Sequence, residues 1–293
     1  ATYLLEDPRL QSVNMDIANP GEACRIGVVF DIIEPRAKAP GAGSDYPGIL
    51  GPIATAGKGT THVLRGAAVT IVDEAAPVNI SKIVEMSGPA SDESPYSVLH
   101  HLAIVPHTDP NLERHVAQNA LRLASVKASV FLAKAALDQQ PDSTEVFQSD
   151  GPTQAGRDEL PRVAYIGQIH SRQRVAEVDE QILYGANTAG MVPVMLHPNE
   201  WLDGGVVSGY QNMGVETYFY QNHPIITELY RWHREGKVTL VGTVATMAAS
   251  DNEDRERNCM LASEIVKWNL AADGVALTKY GGGAPHADMA LTA

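Results

Sequence analysis

Apolar residues follow two different patterns along this chain of 293 residues, and the change between them divides it near the middle. From Ser12 to about Met86 they come in short β-branched runs, such as Arg25 to Val29 and Ala67 to Val72, separated by turns like Ala39-Pro40-Gly41-Ala42-Gly43. Short runs bounded by Pro and Gly are the mark of strands, so residues 1–108 are expected to form a β-rich lobe. Asp109-Pro110 then opens a stretch to Leu137 with apolar side chains at Val116, Ala120, Leu123, Val126, Val130 and Leu137. This is helical spacing, with proline suited to the first helical position and Asp109 to the N-cap, and it predicts one long connecting helix over 109–138. Residues 139–160 are polar and carry Pro, Gly, Ser and Asp, the composition of a linker.

From 161 to 293 strands and helices alternate. Arg162 to Gly167 and Met191 to Leu196 read as buried strands, Pro224 to His233 as a helix, Lys237 to Val244 as a strand, Glu253 to Leu270 as a helix and Gly274 to Leu277 as a strand. The fold class is therefore α/β: a β-rich N-terminal lobe, a long helix, and a doubly wound, mostly parallel α/β lobe with ligands at the carboxyl ends of its strands. Leu4 to Pro8 reads as the end of a helix running into a proline, so a preceding segment is expected. Asp288 to Ala293 reads as the start of a helix, and the α/β lobe is expected to continue past 293.

Composition narrows the partners. A net charge of −13, with 22 dispersed basic residues, argues against nucleic acid, which needs clustered Lys and Arg. No apolar run approaches the ~20 residues of a membrane span. Two cysteines, Cys24 and Cys259, make a disulfide scaffold implausible and suit a reducing, cytoplasmic setting.

Candidate chemistry centres on histidine. His100, His101, His107 and His115 are the densest group, and zinc or another divalent metal on two or three of them, His100, His101 and His107 first, is one reading, hydrogen-bonded or surface histidines the other. On a strand His100 and His101 point to opposite faces, so at most one of them would join His107. His62 follows the Gly57-Lys58-Gly59-Thr60-Thr61 turn and precedes an apolar strand. It is placed for a general base beside backbone amides, or merely caps the turn. Gly281-Gly282-Gly283-Ala284-Pro285-His286-Ala287-Asp288 lies between a strand and a helix. Its glycines allow close backbone approach and the helix start offers N–H groups to an anion, with His286 and Asp288 lining the place; the alternative is a tight turn with polar caps. It lacks the spacing of a dinucleotide fingerprint.

Several segments, taken in order, resemble a known family. They are Ser12-Val13-Asn14, Ile17 to Glu22, Arg25-Ile26, Asp31 to Arg36, Tyr46-Pro47-Gly48, Gly59 to Val69, Met86 to Pro89, Asp203 to Gly209, Asn222 to Ile226, and Asp251 to Arg257. Together they are similar to the pyruvoyl-type proprotein subunit of glycine, sarcosine, betaine and D-proline reductases. The resemblance implies a subunit of a reductase-like complex acting on a small carboxylate- or amide-bearing substrate. It also implies a hetero-oligomer with a smaller thiol- or selenol-bearing subunit.

In the family the stretch after Val-Ser-Gly carries the cysteine at which the precursor is cut and the pyruvoyl group is made. Here it reads Tyr210-Gln211-Asn212, so a pyruvoyl group is not expected. The candidate site is accordingly His62 and His286 as catalytic groups, with Thr61, Ser208, Gly282, Gly283 and Asp288 at the substrate, the ligand lying between the two lobes. A histidine- or metal-dependent hydrolase or lyase, and a non-catalytic scaffold subunit, are the alternatives.

Overall fold

A computed structural model describes residues 4, 6–7, 10, 13–18, 28–39, 45–73, 88–151, 159–169, 191–207, 216–249, 251–279 and 283–293. The chain is mixed α/β and separates into two compact units, one of residues 1–55, 59–140 and 216–221, the other of residues 56–58, 141–215 and 222–293.

The first unit is built on a four-stranded sheet of β1 (Val13–Ala18), β2 (Val28–Ile33), β5 (Ala67–Asp73) and β6 (His100–Thr108), in the order β1-β6-β5-β2. β5 and β6 run parallel, while β1 and β2 pair antiparallel at the flanks. Two short strands, β3 (Arg36–Lys38) and β4 (Thr61–Val63), form a separate ribbon. Ala68, Val69, Ile71 and Val72 of β5 are all inaccessible to solvent. A strand covered on both faces needs an unbroken apolar run rather than alternation, which is what the sequence shows.

The long helix α1 spans Arg114–Lys134, starting later than the Asp109-Pro110 signal suggests. Asp109 Oδ1 accepts the Asn111 N–H at 2.8 Å, so the side chain expected to cap the helix closes a turn of its own instead. Ala117, Ala120, Ala124 and Ala128 sit on the buried face, and Val116 is turned outward, 39% exposed.

A short helix from late in the sequence, Thr217–Gln221, completes this unit against β2. Its anchorage is polar and buried. The Thr217 N–H and Oγ1 donate to the two oxygens of Asp31 at 2.8 and 2.5 Å. The Glu34 N–H donates to Gln221 Oε1 at 2.8 Å, and Gln221 Nε2 donates back to the Glu34 carbonyl at 3.2 Å. Next to the helix, Glu216 accepts the Tyr96 hydroxyl at 2.5 Å. Glu34 is itself neutralised by Arg36, whose Nη2 lies 2.6 Å from Oε2.

The second unit has the sheet order β10-β7-β9-β8. β7 (Arg162–Ile169), β9 (Thr239–Met247) and β10 (Gly274–Thr278) are mutually parallel, and the three-residue β8 (Val194–Leu196) runs antiparallel to β9. The segment from Met191 therefore contributes an antiparallel strand shorter than its apolar run, because Pro193 cannot donate to a ladder.

The helices of this unit are α2 (Pro198–Leu202), α4 (Pro224–Arg234), α5 (Asn252–Glu264) and α6 (Ala284–Thr292), with the helix at 217–221 counted as α3. α5 begins where Asp251 accepts the N–H groups of Glu253 and Asp254, and it loosens into a π turn over Ile265–Asn269. Ala262, Val266 and Leu270 from this segment meet Ala164, Ile166, Val241 and Val244 of the sheet. Residues 145–151 pack onto the same unit: Ser149 is buried and its Oγ donates to the Leu240 carbonyl at 2.8 Å. Among the described residues, no helix is long and apolar enough to cross a membrane.

Candidate functional site

The carboxyl ends of β7, β9 and β10 bring polar side chains to one edge of the parallel sheet, where open α/β sheets hold their ligands. Gln168, Thr246, Thr278 and Lys279 from the strand ends line a shallow crevice there, together with Cys259 of α5 and Asp288 of α6. Two hydrogen-bonded chains hold its walls.

One chain runs from Arg255 to Gln168. Arg255 Nε and Nη2 both donate to Asp288 Oδ1, at 2.8 and 2.7 Å, and Gln168 Nε2 donates to Oδ2 at 2.9 Å. Asp288 is 3% exposed, and a buried carboxylate is tolerable only with such pairing. Because Asp288 accepts, the amide nitrogen of Gln168 must face it, which fixes the orientation of the whole amide. Gln168 Oε1 then has no hydrogen-bond partner among the described residues.

The other chain runs from His223 to Thr278. His223 caps α4, its Nδ1 accepting the Ile226 N–H at 3.4 Å. Its proton therefore sits on Nε2 and is donated to the Tyr165 hydroxyl at 2.8 Å, and Tyr165 passes its own to Thr278 Oγ1 at 2.6 Å. Burial lowers the His223 pKa to about 4 and raises that of Tyr165, which keeps both neutral. Trp201 packs edge-on against both rings, and its Nε1 donates to Thr243 at 2.7 Å.

The residues singled out from sequence fall in different places. His62 and Thr61 are half-buried on β4 of the first unit, paired with Ala37 and Lys38. The turn before them has positive φ at Gly57 and Gly59, but the Gly57 N–H is taken by Asp203 Oδ2 at 2.9 Å. In the second unit the helix after the glycine run begins at Ala284, so His286 and Asp288 stand in its first turns rather than in a loop. Gly283, with φ 72°, is its N-cap. His286 is exposed, and the Lys279 ammonium donates to its Nδ1 at 3.2 Å. Ser208 and Gly282 lie outside the described residues.

His100, His101 and His107 share β6. His101 uses both ring nitrogens, Nε2 donating to the Tyr96 carbonyl at 2.8 Å and Nδ1 accepting from Thr70 Oγ1 at 2.7 Å. Burial lowers its pKa. Among the described residues no three His, Cys, Asp or Glu side chains gather closely enough to hold a metal ion.

Gln168, Tyr165, Thr278 and Arg255 were not singled out from sequence. The available signal was an amide and a hydroxyl closing two apolar strands. His223 stands in the Asn222-His223-Pro224 segment, to which no role was attached.

These features define an α/β protein with a shallow crevice at the strand ends of its parallel sheet. The chain belongs to the family of glycine/sarcosine/betaine reductase component B subunits, whose model matches residues 1–293. It is 32% identical over 292 residues to the sarcosine reductase complex component B subunit alpha of Peptoclostridium acidaminophilum, covering 98% of this chain and 67% of that protein. Against the glycine reductase complex component B subunits alpha and beta of the same organism it is 31% identical over 285 residues, covering 96% and 66%. The betaine reductase complex component B subunit alpha of that organism is 29% identical over 297 residues, covering 98% and 66%. The chain thus spans about two thirds of the length of these relatives. No solved structure matches it.

Proposed function

We propose that this chain is the substrate-binding subunit of a cytoplasmic, hetero-oligomeric reductase complex acting on a small carboxylate- or amide-bearing substrate. In this reading it works without a pyruvoyl group, beside a smaller subunit that carries the attacking thiol or selenol. The second unit is taken to be doubly wound, with the substrate at the carboxyl ends of β7, β9 and β10. His286 of this unit is a candidate proton-transfer group and Gly283 a candidate substrate contact, while His62 and Thr61 belong to the first unit.

The observation that carries the reading is the state of Cys259, the one cysteine among the described residues. Cys259 is buried, its Sγ directed at the Asp288 carbonyl at 3.3 Å, and burial pushes the thiol pKa up. A nucleophilic cysteine needs the opposite shift, so this side chain is a packing group; Cys24 lies outside the described residues, and in this reading the attacking sulfur or selenium comes from a partner. Residues 208–212 lack the cysteine at which the family's precursor is cut, and Ser208 is the one aliphatic hydroxyl there.

Intact-mass measurement of every polypeptide in the native complex, with and without a carbonyl-reactive hydrazine, tests both points. The expected result is an unlabelled subunit accompanied by a smaller partner with a reactive cysteine or selenocysteine. A hydrazone on a new N-terminus at Ser208, or full activity from a preparation of this chain alone, would refute the proposal.

A further inference from the structure

We draw no further inference here: the strongest candidate, the apolar surface patch of Met260 and Trp268 on α5 and the π turn that follows it, 54% and 69% exposed, carries nothing because nothing in the structure shows what covers it.

Discussion

Replacing Gly167 by alanine puts a methyl group into space that two aromatic side chains already fill. A Cβ built there lies 2.6 Å from Trp201 Cη2, 2.7 Å from the Tyr165 hydroxyl and 2.9 Å from Tyr165 Cε1. Neither neighbour is a flexible tip. Trp201 is fully buried and tied to Thr243, and Tyr165 is held from two sides by His223 and Thr278. Overpacking of such a site costs about 1–3 kcal/mol, and breaking the Tyr165 contacts adds about 1 kcal/mol per hydrogen bond. Gly167→Ala is expected to destabilise the second unit by about 3 kcal/mol, read from urea midpoints together with hydrogen exchange of the β7 and β9 amides. Gly274→Ala is the control: its Cβ meets nothing within 4 Å, and it should be neutral or stabilising by up to about 1 kcal/mol. A loss below about 0.5 kcal/mol in Gly167→Ala, on the scale of an ordinary surface change, would show that the aromatic cluster is not packed as described.

Three further outcomes follow from the buried polar groups. His223 has its pKa lowered from 6.5 to about 4 by burial, so the unfolded chain binds a proton that the folded chain refuses. The stability of the neutral form is fully present above pH 6.5 and falls as the pH drops towards about 4, by up to about 3 kcal/mol, and His223→Gln should flatten that part of the pH–stability profile. Arg255→Met leaves Asp288 buried without its cation and should cost about 3–5 kcal/mol in chemical denaturation; a loss near zero would mean that the pair is open to water. Thr217→Val removes the hydroxyl bonded to Asp31 and should cost about 1.5–3 kcal/mol in the first unit, with an unchanged denaturation midpoint counting against it.

Much of the second unit was legible because its apolar runs are long and capped by clear signals. The strand expected over Arg162 to Gly167 is β7, and the helix expected over Pro224 to His233 is α4, each extended by one or two residues. The helix expected to end at Leu270 stops as an α-helix at Glu264 and continues as a π turn. Periodicity alone does not distinguish these, since both keep the same side chains on the sheet. At Asp109 a correct helix signal was overridden by a side chain that bonded two residues along.

The site was less legible, for a physical reason. Histidines attract notice by type, but what matters in the crevice is which donors and acceptors remain after internal pairing. Lys279 engages His286, Asp288 is matched by Arg255, and Gln168 Oε1 has no partner among the described residues. Only coordinates supply that subtraction.

The grip of α3 on β2 bears on what a backbone break would do. Glu216, Thr217 and Gln221 belong to the first unit, although residues 222–293 after them belong to the second. The bonds to Asp31, Glu34 and Tyr96 join positions more than a hundred apart in sequence. A cut anywhere in residues 208–215 would therefore make two polypeptides but not two particles. The downstream piece would stay threaded into the first unit by a helical peg of five residues. Separating the pieces would require stripping the buried Asp31 carboxylate of its Thr217 donors and breaking the Gln221 bonds to the Glu34 backbone, so the products of such a cut would travel together through a gel-filtration column and part only in denaturant.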